Sequence, residues 1–135
     1  MFFANLVRVI RLPIQIDFLL AKTKMTGGCS AKPVKVWTEL TEKVTKRHGL
    51  LVEDMVDSGR TVKYLVAPLR KQKPASIAVC ALLSRQANRR VEIALQYVGF
   101  EIPATYVVGY GLDFQQKYRN LLYLAKLDPK LADQS

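Results

Sequence analysis

The chain has 135 residues, half of them hydrophobic, and a formal net charge of +10 at pH 7. This size predicts one compact domain over residues 1–135. No stretch reaches the roughly 18 uninterrupted apolar residues of a membrane-spanning helix, so no membrane association is expected. The positive charge fits nucleic acid or small phosphorylated ligands and does not choose between them. Cys29 and Cys80 show neither CxxC nor dense disulfide spacing, which indicates reduced thiols in a cytoplasmic protein without a cysteine metal site.

The first third of the chain predicts a helix, a strand, a loop and a short strand. Apolar residues from Phe2 to Ile10 recur at helical spacing and Pro13 ends the pattern, which indicates a buried amphipathic helix rather than a signal peptide. The apolar run from Ile14 to Ala21 predicts a buried strand. Residues 22–33 are rich in Lys, Thr, Gly and Ser and predict a mobile loop that acts as a lid, and a short strand is expected at residues 34–37.

The remainder alternates between strands and helices. The apolar run at residues 49–52 has no polar face, which is typical of a central strand of a parallel sheet. Apolar residues from Val62 to Leu69 fall at helical spacing, and Pro68 within them predicts a kinked or shortened helix. Further strands are expected at residues 76–83, 95–100 and 106–110. The order predicts an α/β fold with a mostly parallel sheet flanked by helices.

Acidic and hydroxyl residues follow the most apolar of these strands. In open α/β sheets, ligands bind outside the carboxyl ends of the strands, where Glu53 and Asp54 are expected. The next residues, from Asp57 to Thr61, supply amides, hydroxyls and a helix N-terminus suited to one phosphate. Gly59 would allow the backbone to approach that ligand closely. In the alternative interpretation, Asp57 or Ser58 only caps the helix and the two acids are solvated; the density of polar groups favours a site.

Two segments carry a specific resemblance. Residues 52–61 read Val-Glu-Asp-Met-Val-Asp-Ser-Gly-Arg-Thr, which resembles the phosphoribosyl-diphosphate signature of purine phosphoribosyltransferases and in particular their hypoxanthine branch. Residues 97–121 contain Tyr-Val-Gly-Phe-Glu-Ile-Pro, Tyr-Val-Val-Gly-Tyr-Gly-Leu-Asp-Phe and Tyr-Arg-Asn-Leu, and are similar to the family's purine-binding region. The resemblance extends to about Pro129 and implies the type I phosphoribosyltransferase fold.

The resemblance also implies roles for individual residues. It places the ribose hydroxyls and Mg²⁺ at Glu53 and Asp54, although sharing one ribose requires the chain to turn there, because strand side chains alternate between faces. It assigns Asp57 to proton transfer at purine N7. It implies that five residues bind the 5′-phosphate: Asp57, Ser58, Gly59, Arg60 and Thr61.

For the base and the leaving group, the resemblance implies four more residues. Tyr106 would stack on the purine and Val107 would read its edge through backbone groups. Asp113 would be a second Mg²⁺ contact and Arg119 a pyrophosphate contact. Without the resemblance, an aromatic before two valines is usually core packing, and the two charges would pass as surface residues.

The sequence departs from the family in three places. The family has a preceding strand and a pyrophosphate-binding Leu-Lys-Gly loop that are not found here, so a shorter, catalytically weaker protein is expected. Thr23 and Lys24 stand where the family's flexible loop has Ser-Tyr. Arg85 replaces a lysine that donates to the 6-oxo group of the purine, and it can be interpreted either as that donor or as a solvated charge beside Arg89 and Arg90.

The main functional hypothesis is therefore purine salvage by an Mg²⁺-dependent hypoxanthine phosphoribosyltransferase that is a homo-oligomer. Its substrates would be phosphoribosyl diphosphate and hypoxanthine, with guanine as another base. The first alternative is a non-catalytic nucleotide-binding paralogue or fragment. The second is an RNA-binding module, for which no RNP-like or zinc-knuckle pattern is found.

Overall fold

The computed structural model describes residues 1–22, 35–36, 40–128 and 130. The loop predicted at residues 22–33 lies outside this part of the chain apart from its first residue. The elements in chain order are α1 (Phe2–Val9), β1 (Ala21–Lys22), β2 (Lys35–Val36), β3 (His48–Val56), α2 (Arg60–Lys71), β4 (Ser76–Ser84), a 3₁₀ turn (Gln86–Asn88), β5 (Tyr97–Glu101), β6 (Val107–Val108) and β7 (Ala125–Lys126).

Three parallel strands form the centre of the fold in the order β3-β4-β5. This arrangement confirms the α/β prediction. The prediction that β3 is the central strand is wrong for the part of the chain that the structure describes, because β4 lies between the other two. β4 is accordingly the most buried of these three strands, and every residue from Val79 to Ser84 is buried. The apolar character of residues 49–52 therefore identified a sheet strand but not its position.

Helix α2 covers one face of this sheet. Its buried residues Val62, Leu65 and Val66 have the predicted helical spacing, and the two valines pack with Val56 in a buried cluster. The helix continues to Lys71, so the predicted shortening at Pro68 is wrong. Pro68 lies on the exposed side of the helix, where water can replace the hydrogen bond that proline cannot donate.

The N-terminal region departs most from the sequence predictions. Helix α1 forms as predicted, but none of its residues is buried. Residues 13–20 have no regular secondary structure, and Ile14, Ile16 and Phe18 are exposed, so the buried strand predicted there is wrong. Apolar residues alone do not make a strand, because its backbone also needs a neighbour with which to form hydrogen bonds.

The residues after β4 form the third strand of the sheet and a second, two-stranded sheet. β5 begins two residues later than predicted, and all five of its residues are exposed. Gly99 is required in β5, because a Cβ atom there would lie 2.7 Å from the carbonyl oxygen of Leu82 in β4. The strand predicted at residues 106–110 is reduced to β6, which pairs with β7. Within the described residues, no helix has the length and apolar character needed to cross a bilayer.

Candidate active site

The carboxyl ends of β3 and β4 bring two charged residues together. β3 ends at Val56 and β4 at Ser84, and these residues are partners in the parallel register. The backbone N–H of Arg85 continues the pairing by donating to the carbonyl of Val56 at 3.0 Å. Asp57 and Arg85, each the first residue beyond its strand, therefore start from adjacent positions at one edge of the sheet.

The Arg85 side chain is a buried ion-pair partner and not a solvated charge. Its Nη1 lies 3.4 Å from Oδ2 of Asp57, and its Nη2 donates to the carbonyl of Thr105 at 2.6 Å. Only 10% of the Arg85 side chain is exposed, compared with 44% of Asp57. The interpretation of Arg85 as a solvated charge is therefore wrong. Through Thr105, the same guanidinium also holds the residue that precedes Tyr106.

Buried polar atoms without a partner surround this ion pair. In the part of the chain that the structure describes, Asp57 Oδ1, Arg85 Nε and Arg89 Nη1 are buried and have no hydrogen-bond partner. Buried polar groups nearly always have partners, so unsatisfied ones require an explanation. The unsatisfied buried polar atoms of the described residues therefore lie together at the strand ends.

The turn between β3 and α2 has the geometry of an anion-binding loop. Gly59 is the N-cap of α2 and has φ of 80°, in the left-handed region that favours glycine. Gly59 makes no side-chain cap hydrogen bond and the interpretation of Asp57 as the cap is wrong, while the interpretation of Ser58 as a cap is supported by a single contact. The hydroxyl of Ser58 accepts only a long bond, 3.4 Å, from the backbone N–H of Arg60. No acidic side chain occupies the first turn, so its positive dipole end is open to an anion.

Gly59 is also enclosed by the segment that follows β4. A Cβ atom on Gly59 would lie 3.0 Å from Ile93 Cδ1 and 3.2 Å from both Arg89 Cδ and Val91 Cγ2. The backbone N–H groups of Arg90 and Val91 both donate to the carbonyl of Ser58, at 3.0 and 3.3 Å. The requirement for glycine therefore arises from its backbone angle and from packing inside the protein, and not only from the approach of a ligand.

The two acids of β3 do not lie at a turn. The strand continues through Glu53 and Asp54 to Val56, so the predicted turn is wrong and the two side chains point to opposite faces. Burial, and then the charge of Asp54, raise the pKa of Glu53 to about 7. Oδ2 of Asp54 lies 3.9 Å from the position of a Cβ atom on Gly111. Asp54 therefore faces the C-terminal hairpin, which consists of β6, β7 and the residues between them.

Tyr106 and Val107 lie at the start of the β6–β7 hairpin. Tyr106 is 49% exposed, and its ring contacts Phe114 edge-on at a centroid distance of 5.3 Å, so the core-packing interpretation is wrong. The carbonyl of Tyr106 accepts a hydrogen bond from Leu127 at 2.9 Å. Because hydrogen-bonded and non-hydrogen-bonded pairs alternate along an antiparallel ladder, the backbone groups of Val107 point away from β7. Both residues therefore present groups that a planar ligand can use.

Asp113 and Arg119 bind each other across the hairpin. Oδ1 of Asp113 lies 2.8 Å from Nη2 of Arg119, whose Nη1 donates to the carbonyl of Gly111 at 2.9 Å. Their side chains are 25% and 52% exposed, so water reaches the pair. The two residues are thus surface charges with an ordered geometry.

In the part of the chain that the structure describes, neither a cysteine nor a preformed metal cluster belongs to this site. Cys80 is a free, buried thiol whose pKa is raised by burial, and Cys29 lies outside the described residues. Among the residues that the structure describes, no group of three His, Cys, Asp or Glu side chains could hold a metal ion. A metal at this site would have to take further ligands from water or substrate.

A groove in the described residues lies elsewhere. It has a volume of about 430 Å³ and lies between α2 and residues 92–96, lined mainly by apolar side chains such as Val66 and Ile77. The three unpartnered buried atoms belong to residues that do not line it. The charged residues and the unpartnered polar atoms therefore indicate a site at the strand ends and not in this groove.

Comparison with known proteins identifies the family. Residues 1–115 match the family model described as "Phosphoribosyl transferase domain". The hypoxanthine phosphoribosyltransferase of Haemophilus influenzae is 39% identical over 127 residues, which are 94% of this chain and 71% of that protein. The chain belongs to the hypoxanthine(-guanine) phosphoribosyltransferase family.

Solved structures of this family show the same fold. A Staphylococcus aureus hypoxanthine phosphoribosyltransferase superposes with a TM-score of 0.90 at 32% identity, over 96% of this chain and 71% of that one. A point mutant of the Trypanosoma cruzi hypoxanthine phosphoribosyltransferase, complexed with the product IMP, gives a TM-score of 0.89 at 31% identity, over 99% of this chain and 69% of that one. The predicted type I phosphoribosyltransferase fold is confirmed.

Sequence reasoning missed two members of the site. Thr105 offers a backbone carbonyl, which its residue type does not signal. Arg89 is indistinguishable in the sequence from the other scattered basic residues. The apolar Val91 and Ile93 that follow it were a usable signal, because they indicate that this segment packs against the protein.

Proposed function

We propose that this chain transfers the phosphoribosyl group of 5-phosphoribosyl 1-diphosphate to N9 of hypoxanthine, with guanine as another base. The products are IMP, or GMP, and pyrophosphate. The observation that carries the proposal is the buried Arg85 guanidinium, which contacts both Asp57 and the carbonyl of Thr105. It links the acid that follows β3 to the aromatic residue Tyr106, and a purine fits between such groups.

The purine would lie against Tyr106 with its imidazole edge toward Asp57. Base stacking on an aromatic side chain is worth about 1–3 kcal/mol. Arg85 would donate to the 6-oxo oxygen, and the outward backbone groups of Val107 would read the remaining edge. In the reaction, the bond between C1′ and the pyrophosphate oxygen breaks, the bond between N9 and C1′ forms, and Asp57 accepts the proton that leaves N7.

The 5′-phosphate would bind at the N-terminus of α2, with donors from Ser58, Gly59, Arg60 and Thr61. Three features support this assignment: the left-handed Gly59, the absence of an acidic residue in the first turn, and the helix dipole. The T. cruzi relative bound to IMP shows that the matching fold accepts a purine nucleotide.

Mg²⁺ fits the donor set. It characteristically takes one or two carboxylates and completes its shell with water and substrate phosphates, so a three-residue protein cluster is not required. Asp54 and Asp113, on the side of the hairpin, would hold it, whereas Glu53 points to the other face of β3 and its role at the ribose and Mg²⁺ stays a prediction. When bound, Mg²⁺ would stabilise the negative charge of the departing pyrophosphate. Arg119 would leave Asp113 and donate to the same pyrophosphate.

The first experiment tests turnover and binding side by side. The purified chain is incubated with phosphoribosyl diphosphate and hypoxanthine, with and without Mg²⁺, and IMP is quantified while IMP binding is titrated separately. We expect IMP to form only in the complete mixture. Tight IMP binding without turnover would identify a non-catalytic nucleotide-binding protein, and the absence of both would contradict the proposed site.

A second experiment tests how the base is read. Adenine carries an amino group in place of the 6-oxo oxygen, so the Arg85 donor should favour hypoxanthine and guanine over adenine. Arg85→Met should reduce this preference, and Arg90→Met, which removes an exposed neighbouring charge, should leave it unchanged.

A third experiment tests the acids of β3. Glu53→Gln combined with Asp54→Asn should weaken the Mg²⁺-dependent binding of phosphoribosyl diphosphate. An unchanged Mg²⁺ dependence would argue against their ribose role.

The homo-oligomer and the single domain stay predictions. Size measurements in solution would test the oligomeric state.

A further inference from the structure

Arg89 is a basic residue of the site to which the proposed function assigns no role, and its side chain reaches two other parts of the site. Nη2 donates to Oγ of Ser84, the last residue of β4, at 3.0 Å. The side-chain stem passes Gly59, with Cδ 3.2 Å from the position of a Cβ atom there. One residue thus contacts both the end of the central strand and the turn that begins α2.

The backbone beside Arg89 strengthens this connection. The next two residues, Arg90 and Val91, donate their N–H groups to the carbonyl of Ser58. The Ser58–Gly59 turn is therefore held from outside by three consecutive residues, two through their backbone and Arg89 through its side chain. Ser84, which anchors the guanidinium, is 1% exposed and lies in the most buried strand of the three-stranded sheet.

We infer that Arg89 is a positioning residue that holds the Ser58–Gly59 turn in its phosphate-binding geometry by tying it to Ser84. This inference rests on the proposed function, because it concerns the same 5′-phosphate site. A direct contact with phosphate is not required, since the second guanidinium nitrogen, Nη1, is buried and a ligand in solvent does not reach it. The turn needs such support because amides bind an anion well only when they are already oriented.

The test compares two ligands that differ only in the phosphate. IMP and inosine are titrated into the full chain by calorimetry, and the ratio of their affinities measures the contribution of the phosphate. Arg89→Met keeps the apolar stem over Gly59 and removes the guanidinium. We expect it to lower the ratio roughly tenfold, the effect of losing one charge-assisted hydrogen bond, while the affinity for inosine stays nearly unchanged.

Three variants separate geometry from charge and from misfolding. Ser84→Ala removes only the hydroxyl that accepts the bond, keeps the net charge, and should lower the ratio in the same way. Arg90→Met removes an equal charge from the neighbouring exposed residue and should leave the ratio unchanged. The double variant of Ser84 and Arg89 should be no worse than Arg89→Met alone, because both changes break the same contact.

The outcomes distinguish this inference from the proposed function. A parent chain that binds IMP no more tightly than inosine contradicts the phosphate site and the inference with it. A parent that prefers IMP, with that preference retained in Ser84→Ala and Arg89→Met, overturns only the positioning role. An equal loss in Arg90→Met would show that total charge matters and not the position of Arg89. If Arg89→Met does not fold, Ser84→Ala decides the question alone.

Discussion

The candidate site contains two ion pairs whose arginines differ in solvent exposure. At the strand ends, the Arg85 side chain is 10% exposed and contacts Asp57 and a carbonyl. In the C-terminal hairpin, Asp113 and Arg119 are 25% and 52% exposed. The difference lies in the arginines, because Asp57 is 44% exposed and Asp113 only 25%. The Arg85 guanidinium has little water to replace a lost partner, whereas the Arg119 guanidinium exchanges partners at little cost. The pair at Arg85 is suited to base recognition and proton transfer. The pair at Arg119 is suited to the reversible binding of Mg²⁺ and pyrophosphate.

Asp57→Asn should show the largest effect. The amide keeps the size of the side chain but accepts no proton, so we expect turnover to fall by about 10²–10⁴-fold. IMP affinity should change far less, because the phosphate loop remains in place. Initial rates and calorimetric binding measure the two quantities separately. Asp128→Asn, at an exposed position outside the site, is the matched control. A fall in rate no larger than the fall in affinity would argue against proton transfer by Asp57.

Gly59→Ala tests the turn behind the buried pair. With φ at 80° and neighbours at 3.0 to 3.2 Å, a methyl group is strained and crowded, so a destabilisation of about 1–3 kcal/mol is expected. Gly49→Ala is the control, because its Cβ would meet its nearest atoms at an ordinary 3.8 Å. Denaturant unfolding measures both variants. Equal stability would show that the turn tolerates a side chain.

Glu53→Gln tests the burial of charge in β3. The pKa of Glu53 is about 7 in the folded chain, against a usual value of 4.5, so folding favours the protonated form. The stability that this group contributes is therefore full below pH 4.5 and is lost as the pH rises to 7. Glutamine does not ionise, so the variant should be more stable than the parent by about 3 kcal/mol at pH 8 and about equal to it at pH 4.

Unfolding of the parent and the Glu53→Gln variant at both pH values measures this difference. Glu92→Gln, at an exposed position, should show no such pH dependence. A Glu53→Gln variant that is no more stable than the parent at pH 8 would show that the Glu53 carboxylate is well solvated.

Asp113→Asn should have the smallest effect on stability. Exposed ion pairs contribute about 0.2–1 kcal/mol and are screened by salt. We expect the loss to stay in that range and to vanish at 1 M NaCl, while the affinity for Mg²⁺ and pyrophosphate falls. A double-mutant cycle with Arg119→Gln measures the coupling. A coupling energy that does not depend on salt would mean that this pair resembles the one at Arg85.

Much of the fold followed from sequence patterns. The apolar residues of β3 and β4 and the helical spacing in α2 were read correctly, because each element buries one face or both and its period shows in the residue types. The boundaries of β5 and β6 were less well predicted. Residues 14–20 were predicted wrongly, since a strand depends on a neighbour that a local pattern does not contain.

The sequence by itself determined which chemical groups are present and the family to which they belong. The run from Val52 to Thr61 already contained the acids, the glycine and the hydroxyls of the site. Only the tertiary structure decided which of them meet: that Arg85 is buried against Asp57, that Glu53 and Asp54 face opposite sides, and that Arg89 reaches Gly59. Such contacts join residues up to 30 positions apart in the chain. They depend on the parallel register of β3 and β4, which places the residues after the two strands side by side.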